Sequence, residues 1–224
     1  MISATGVNLS KERIQQLLAG LGSESTEESA NIDAAEYNWH EPHYFTREQL
    51  NKLDDFTKRI SKTITAKFAA LCPGDFTVKV DAVTQHFAAK VQDEACDSSR
   101  DDYYLVFGTS GDTPVGLVGV PAPTAVAWAT QLLGDIGRDK DTNRDLSQLE
   151  ESLLLDAASA IVDAVCEAHP ACSFEPGRTL VRRLLPLELK GPEELCRISF
   201  TVEKSASDKT EAYLLISCEA LESV

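Results

Sequence analysis

Residues 46–74, TREQLNKLDDFTKRISKTITAKFAALCPG, decide how the rest of the chain is read. Leu50, Leu53, Phe56, Ile60, Ile64, Phe68 and Leu71 recur at steps of 3 or 4, the spacing that lines one face of an α-helix. Thr46 opens the run and Pro73-Gly74 stops it. Strand-like segments follow: FTVKVDAV at 76–83, where Phe76, Val78 and Val80 alternate; YYLVFG at 103–108; and TPVGLVGV at 113–120, across the turn Ser110-Gly111-Asp112. A short helix is expected at about 122–133.

The same order is then stated again. Ser147 with Glu150 three residues later makes a capping box, and Leu149 through Val165 read as a long helix ending before Pro170. Strands are expected at 172–187, 194–203 and 211–218, the last two joined by the turn SASDKT. Identity between the two halves is low, so the inference rests on element order. A helix followed by three strands, stated twice, predicts one α/β domain with pseudo-two-fold symmetry. Its halves would span about 46–134 and 145–220, pool their strands in one sheet and pack the long helices on it as a layer.

Residues 1–36 differ. Their apolar residues are confined mainly to Leu9, Ile14, Leu17, Leu18 and Leu21, ahead of the polar stretch GSESTEESANIDAAE. Such a segment cannot bury enough surface to fold alone. Ser10 can cap a helix over about 9–21 with Ile14, Leu17, Leu18 and Leu21 on one face, ended by Gly20 and Gly22. A helix that short orders only against something else. It either packs on its own domain or serves as a docking peptide on a flexible tail, laying Ile14, Leu17 and Leu18 into a partner's groove. Residues 37–224 make up the folded domain.

The 224 residues hold 21 Lys and Arg against 36 Asp and Glu, a net charge of −15. A chain this acidic has no diffuse attraction for nucleic acid or anionic lipid. The opening MISATGVNLSKERI has no apolar core behind a basic start, and nowhere do eighteen apolar residues run together, so cytoplasm is the default and direct membrane insertion is not expected. Cysteines 72, 96, 166, 172, 196 and 218 show no CxxC spacing and read as buried thiols. Neither Cys166, His169 and Cys172 nor His40, Glu41 and His43 in WHEPH supply a full ligand set, so no metal and no cofactor is expected.

Four landmarks occur in order along the chain. They are Leu9-Ser10-Lys11-Glu12-Arg13-Ile14-Gln15-Gln16-Leu17-Leu18-Ala19-Gly20; Tyr37-Asn38-Trp39 leading to Phe45-Thr46-Arg47-Glu48-Gln49-Leu50; Leu132-Leu133-Gly134-Asp135-Ile136-Gly137; and Tyr213 through Glu222, YLLISCEALE. Together they resemble the family of the bacterial flagellar motor switch protein FliM, with its relatives the CheC and CheX chemotaxis phosphatases. The first is similar to the family's LSQxEIDxLL peptide, which captures the phosphorylated response regulator CheY. Gln15 replaces the family's acidic residue there. The second resembles the entry to the FliM middle domain, and the fourth its closing strand, LNLCIPYxxLEP. The third resembles the LxGGxG loop used against the rotor protein FliG, with Asp135 in place of the second glycine.

The resemblance implies a CheC-like layered fold and a non-enzymatic adaptor at the cytoplasmic face of the flagellar basal body. CheY would dock on Leu9, Ser10, Ile14, Leu17 and Leu18. FliG would meet Leu133, Gly134, Asp135, Ile136, Gly137 and Arg138, in a mixed-charge loop that also carries Lys140 and Arg144. Neighbouring copies of the chain or a FliN-like protein are further partners it implies. No FliN-like C-terminal domain is expected within these 224 residues.

The phosphatase relatives use the helix pattern (D/S)xxxExxNxxxG, in which Glu pairs with a lysine of the regulator and Asn positions water. Ser152, Asp156, Ser159 and Asp163 repeat that spacing, within about 60° of arc on one helix face. The side chains differ: Asp156 is a methylene shorter than Glu, and Ser159 lacks the reach and the paired donor and acceptor of Asn. The simpler reading is the solvated face of an amphipathic helix, and the alternative is a degenerate CheC-like phosphatase. The first long helix, with Lys58, Ser61, Lys62 and Thr65 read as facing outward, offers no Glu and Asn pair. No GxSxG, HExxH, P-loop or GxGxxG is present.

Overall fold

The computed structural model describes residues 42–72, 74–95, 101–109, 113–134, 144–169, 173–205 and 208–222. In chain order the elements are α1 (Arg47–Leu71), β1 (Thr77–Phe87), α2 (Ala88–Ala95), β2 (Asp102–Thr109), β3 (Thr113–Pro121), α3 (Ala122–Leu132), α4 (Gln148–Ala168), β4 (Glu175–Pro176), β5 (Val181–Arg182), β6 (Glu194–Ser205) and β7 (Asp208–Ser217). A 3-10 turn at Glu219–Leu221 follows.

Both long helices start where the sequence says they should. The Thr46 hydroxyl accepts from the Gln49 amide while the Gln49 side chain accepts from the Thr46 amide, and Ser147 and Glu150 repeat that exchange.

The strands form one antiparallel sheet in the order β1-β6-β7-β3-β2-β4, with β5 also on β2. Matched by half, β1, β2 and β3 correspond to β4 with β5, β6 and β7. The order then reads the same from either edge, with the pseudo-two-fold axis between β3 and β7. There Gly116 lies opposite Ile216 and Gly119 opposite Tyr213. This is the expected duplicated α/β architecture, and each half borrows its sheet neighbours from the other.

One face of the sheet carries α1, α3 and α4 over the main core. Phe56, Ile60 and Ile64 of α1, Trp128 of α3, and Leu154 and Ile161 of α4 are buried there against Leu105, Phe107, Val118, Ile198, Phe200 and Leu214. The opposite face bears a smaller cluster, in which Val91 of α2 and Leu185, Leu187 and Leu189 cover Tyr104, Leu117, Leu195, Tyr213 and Leu215.

Several expectations are corrected. The strand expected over 172–187 is two short bridges to β2, because Pro176, Gly177 and Pro186 interrupt the ladder. Arg182 pins this broken edge by gripping Asp101 at 2.7 and 2.6 Å, and it also pairs with Asp145. The helix α2 was not foreseen. Leu50 and Leu71, read as core, are 42% and 40% exposed at the ends of α1. Thr65, read as facing outward, is half-buried and accepts a 3.1 Å hydrogen bond from the Val78 amide of β1. Cys72, Cys196 and Cys218 are buried as expected, Cys166 is only half-buried, and burial pushes the Cys196 thiol up to about 12. Cys96 and Cys172 lie outside the described residues.

Candidate functional site

The C-terminal end of α3 is held rigidly. Its indole anchor, Trp128, meets Phe68 edge-on at 5.0 Å and donates from Nε1 to the Thr210 hydroxyl at 2.8 Å. Thr124 donates to the Glu211 carbonyl at 2.9 Å, so the first two turns of the helix are tied to β7. The helix closes on Leu133 and Gly134, whose amides donate to the carbonyls of Ala129 and Gln131. Gly134 has a φ of 75°, a left-handed value that side chains resist, which gives the helix its glycine stop. Leu133 is 48% exposed beside it.

The thiol of Cys72, at the end of α1, donates to the Gln131 carbonyl at 3.3 Å and joins the two helix ends. Phe68, Leu71, Phe76, Trp128 and Leu132 line a shallow apolar pit between them. An exposed leucine, a fixed glycine turn and an apolar pit together suit a protein contact rather than bond-making chemistry. Asp135, Ile136, Gly137 and Arg138 lie outside the described residues, as do Leu9, Ser10, Ile14, Leu17 and Leu18.

On α4, Ser152, Asp156 and Asp163 are exposed and Ser159 is half-buried. The expected stripe therefore exists as a polar helix face, alongside α1. Glu167 near its far end pairs with Lys67 of α1.

The start of α4 is fixed by charge as well as by its cap. Arg144 grips Glu150 through two hydrogen bonds of 2.9 and 2.5 Å, and that guanidinium holds the buried carboxyl well below its ordinary range, at about 2.

No protein-family model matches the sequence, and no curated protein matches it. Solved structures do match. A chain of the FliG–FliM complex from H. pylori aligns with a TM-score of 0.65 at 14% identity, over 79% of this chain and 98% of that one. Thermotoga maritima FliY aligns at 0.64 and 11% identity, over 80% and 94%. The FliM middle domain from H. pylori aligns at 0.63 and 13%, over 80% and 97%. The fold is that of a FliM middle domain. At these identities the likeness concerns backbone architecture, so the roles of individual residues rest on this chain's own chemistry.

A polar trough on the face of this FliM-like sheet opposite α1, α3 and α4 was missed. It is an open cavity of about 410 Å³ whose lining includes Asp81, Asp102, Arg197, Thr201, Glu211 and Tyr213. Glycine spacing in TPVGLVGV was the available signal. A Cβ on Gly119 would lie 2.2 Å from the Tyr213 ring, so glycine there marks the ring's seat.

Proposed function

We propose that this chain is a non-enzymatic, cytoplasmic adaptor of the flagellar motor switch. In this reading residues 1–36 are a flexible tail. The helix at about 9–21 captures phosphorylated CheY through Leu9, Ser10, Ile14, Leu17 and Leu18, and Leu133–Arg138 contact FliG. The tether keeps bound regulator at high effective concentration near the rotor. The observation that carries the proposal is the FliM middle-domain fold, with an exposed Leu133 and a left-handed Gly134 closing α3 where the sequence resembles the FliG-binding loop. Among the described residues no helix is long and apolar enough to cross a membrane.

Two binding measurements test it. A peptide of residues 1–24 should bind phosphorylated CheY more tightly than the unphosphorylated form, and Ile14→Asp should abolish that binding by placing a charge in an apolar groove. Leu133→Asp should weaken capture of FliG by the full chain while leaving the full chain's affinity for phosphorylated CheY unchanged. Equal affinity for the two forms of CheY would remove the tail's assigned role.

A second reading, hydrolysis of the CheY aspartyl phosphate, has one observation in its favour: Ser152, Asp156 and Asp163 stand on the exposed face of α4 at the phosphatase spacing. Decay of phosphorylated CheY that is no faster with the chain present, or that is untouched by Asp156→Ala, removes it.

A further inference from the structure

A half-buried charge stands at the rim of the apolar pit between the ends of α1 and α3. Among the described residues two lysines are half-buried, Lys67 and Lys204. Lys67 pairs with Glu167, whereas Lys204 of β6 forms no ion pair among the described residues. The ladder between β6 and β7 shifts register between Glu203 and Ser205, so Lys204 is the extra residue of a bulge, a device that re-aims a side chain. The 36 acidic residues outnumber the 21 basic ones, which makes a half-buried lysine without a carboxylate unexpected here.

Its neighbours hold the ammonium in place without neutralising it. Nζ lies 5.6 Å from the centre of the Phe76 ring and 3.9 Å from the Cys72 sulfur, and Phe76 and Cys72 both line the pit. The lysine stem crosses Gly74, where a Cβ would come within 2.9 Å of Lys204 Cε, so glycine leaves it room. Neither a ring face nor a thiol that itself donates to the Gln131 carbonyl supplies a full negative charge. An ammonium has three donors, and a partly desolvated one gains most from a carboxylate.

We propose, resting on the reading that FliG meets this chain at Leu133, that the pit and Lys204 form a two-part socket for that partner. An apolar side chain of the partner fills the space among Phe68, Leu71, Phe76, Trp128 and Leu132, and a carboxylate beside it on the partner pairs with Lys204. Exposed Leu71 and Leu133 extend the apolar surface from the two helix ends. An apolar contact excludes water but gives little direction, whereas a charge pair at its edge fixes orientation and rejects partners of the wrong sign.

Capture of FliG by the full chain, measured at low and high ionic strength, is the test. Lys204→Met keeps the stem and removes the charge, so affinity should fall severalfold and should depend less on salt. Lys204→Glu should lower it about tenfold or more by repelling the partner's carboxylate, and Lys204→Arg should keep it to within about threefold. Lys190→Glu makes the same change of charge beside Leu189, on the opposite side of the sheet, and should leave capture unchanged. If Leu133→Asp weakens capture while Lys204→Met and Lys204→Glu do not, the socket is overturned and the FliG reading stands. If none of the three weakens it, the reading and the socket fall together. An equal loss in Lys204→Glu and Lys190→Glu also overturns the socket, since it would reveal only general repulsion by a chain of net charge −15.

Discussion

The helices α1 and α4 are counterparts in the two halves, and they pack along each other with opposite kinds of side chain. The buried face of α1 is bulky: Leu53, Phe56, Ile60, Ile64 and Phe68. That of α4 includes Ala157, Ala158, Ala160, Ala164 and Ala168 around Leu154, Ile161, Val162 and Val165. Small residues let two backbones approach while bulk from one side fills the space between. The capping boxes differ in the same way, with an exposed Thr46–Gln49 pair on α1 and a buried Ser147–Glu150 pair locked by Arg144 on α4. A duplicated topology thus keeps its helix starts and its strand order, and divides the labour of packing and of charge between its halves.

The division can be broken from either side. Phe56→Ala removes bulk from the α1 side and should cost about 3–5 kcal/mol in denaturant unfolding. Ala158→Leu adds bulk where α4 has none to spare and should cost up to about 3 kcal/mol. If the pairing of large with small is what matters, combining the two should cost less than the sum of the single changes.

Glu150→Gln should cost about 2 kcal/mol at pH 7 by leaving Arg144 without its carboxylate. Because Glu150 titrates below its ordinary value when folded, its stabilisation is present above the unfolded pKa of about 4.5. It is lost as pH falls toward about 2. Urea midpoints of the variant and the unaltered chain should therefore converge over that window. Thr46→Ala should cost only about 1 kcal/mol, with no comparable convergence, since its box is neutral.

The parts of this fold that were legible from sequence are those made by near neighbours. Thr46 with Gln49, Ser147 with Glu150, the alternation around Val78, and the hairpin from β2 to β3 each declare themselves within a few residues. The segment 172–187 misled because Leu180, Val181, Leu184 and Leu185 look strand-like, whereas the chain there runs along an edge and is pinned by Arg182. The helix α2 follows β1 with no break, and AAKVQDEA offers no capping residue to announce it. Of the candidate contact site, Leu133 and Gly134 were legible from the helix stop. The trough was not, because its lining draws residues from strands far apart in the sequence, with a register shift between Val80 and Ala82 beside Asp81.

The mirrored strand order has a consequence for how the protein is made. β1 closes on β6 with Thr77 opposite Glu203, and β3 closes on β7 with Gly116 opposite Ile216, so these ladders join residues about a hundred or more positions apart. Each half closes its own hairpin, β2 with β3 and β6 with β7, but β1 and the far side of β3 find their partners only in the second half. As the chain leaves the ribosome, β1 and one side of β3 must wait unpaired until nearly the last strand has emerged. Sheet closure is then a late event of high contact order, slow beside the local formation of α1.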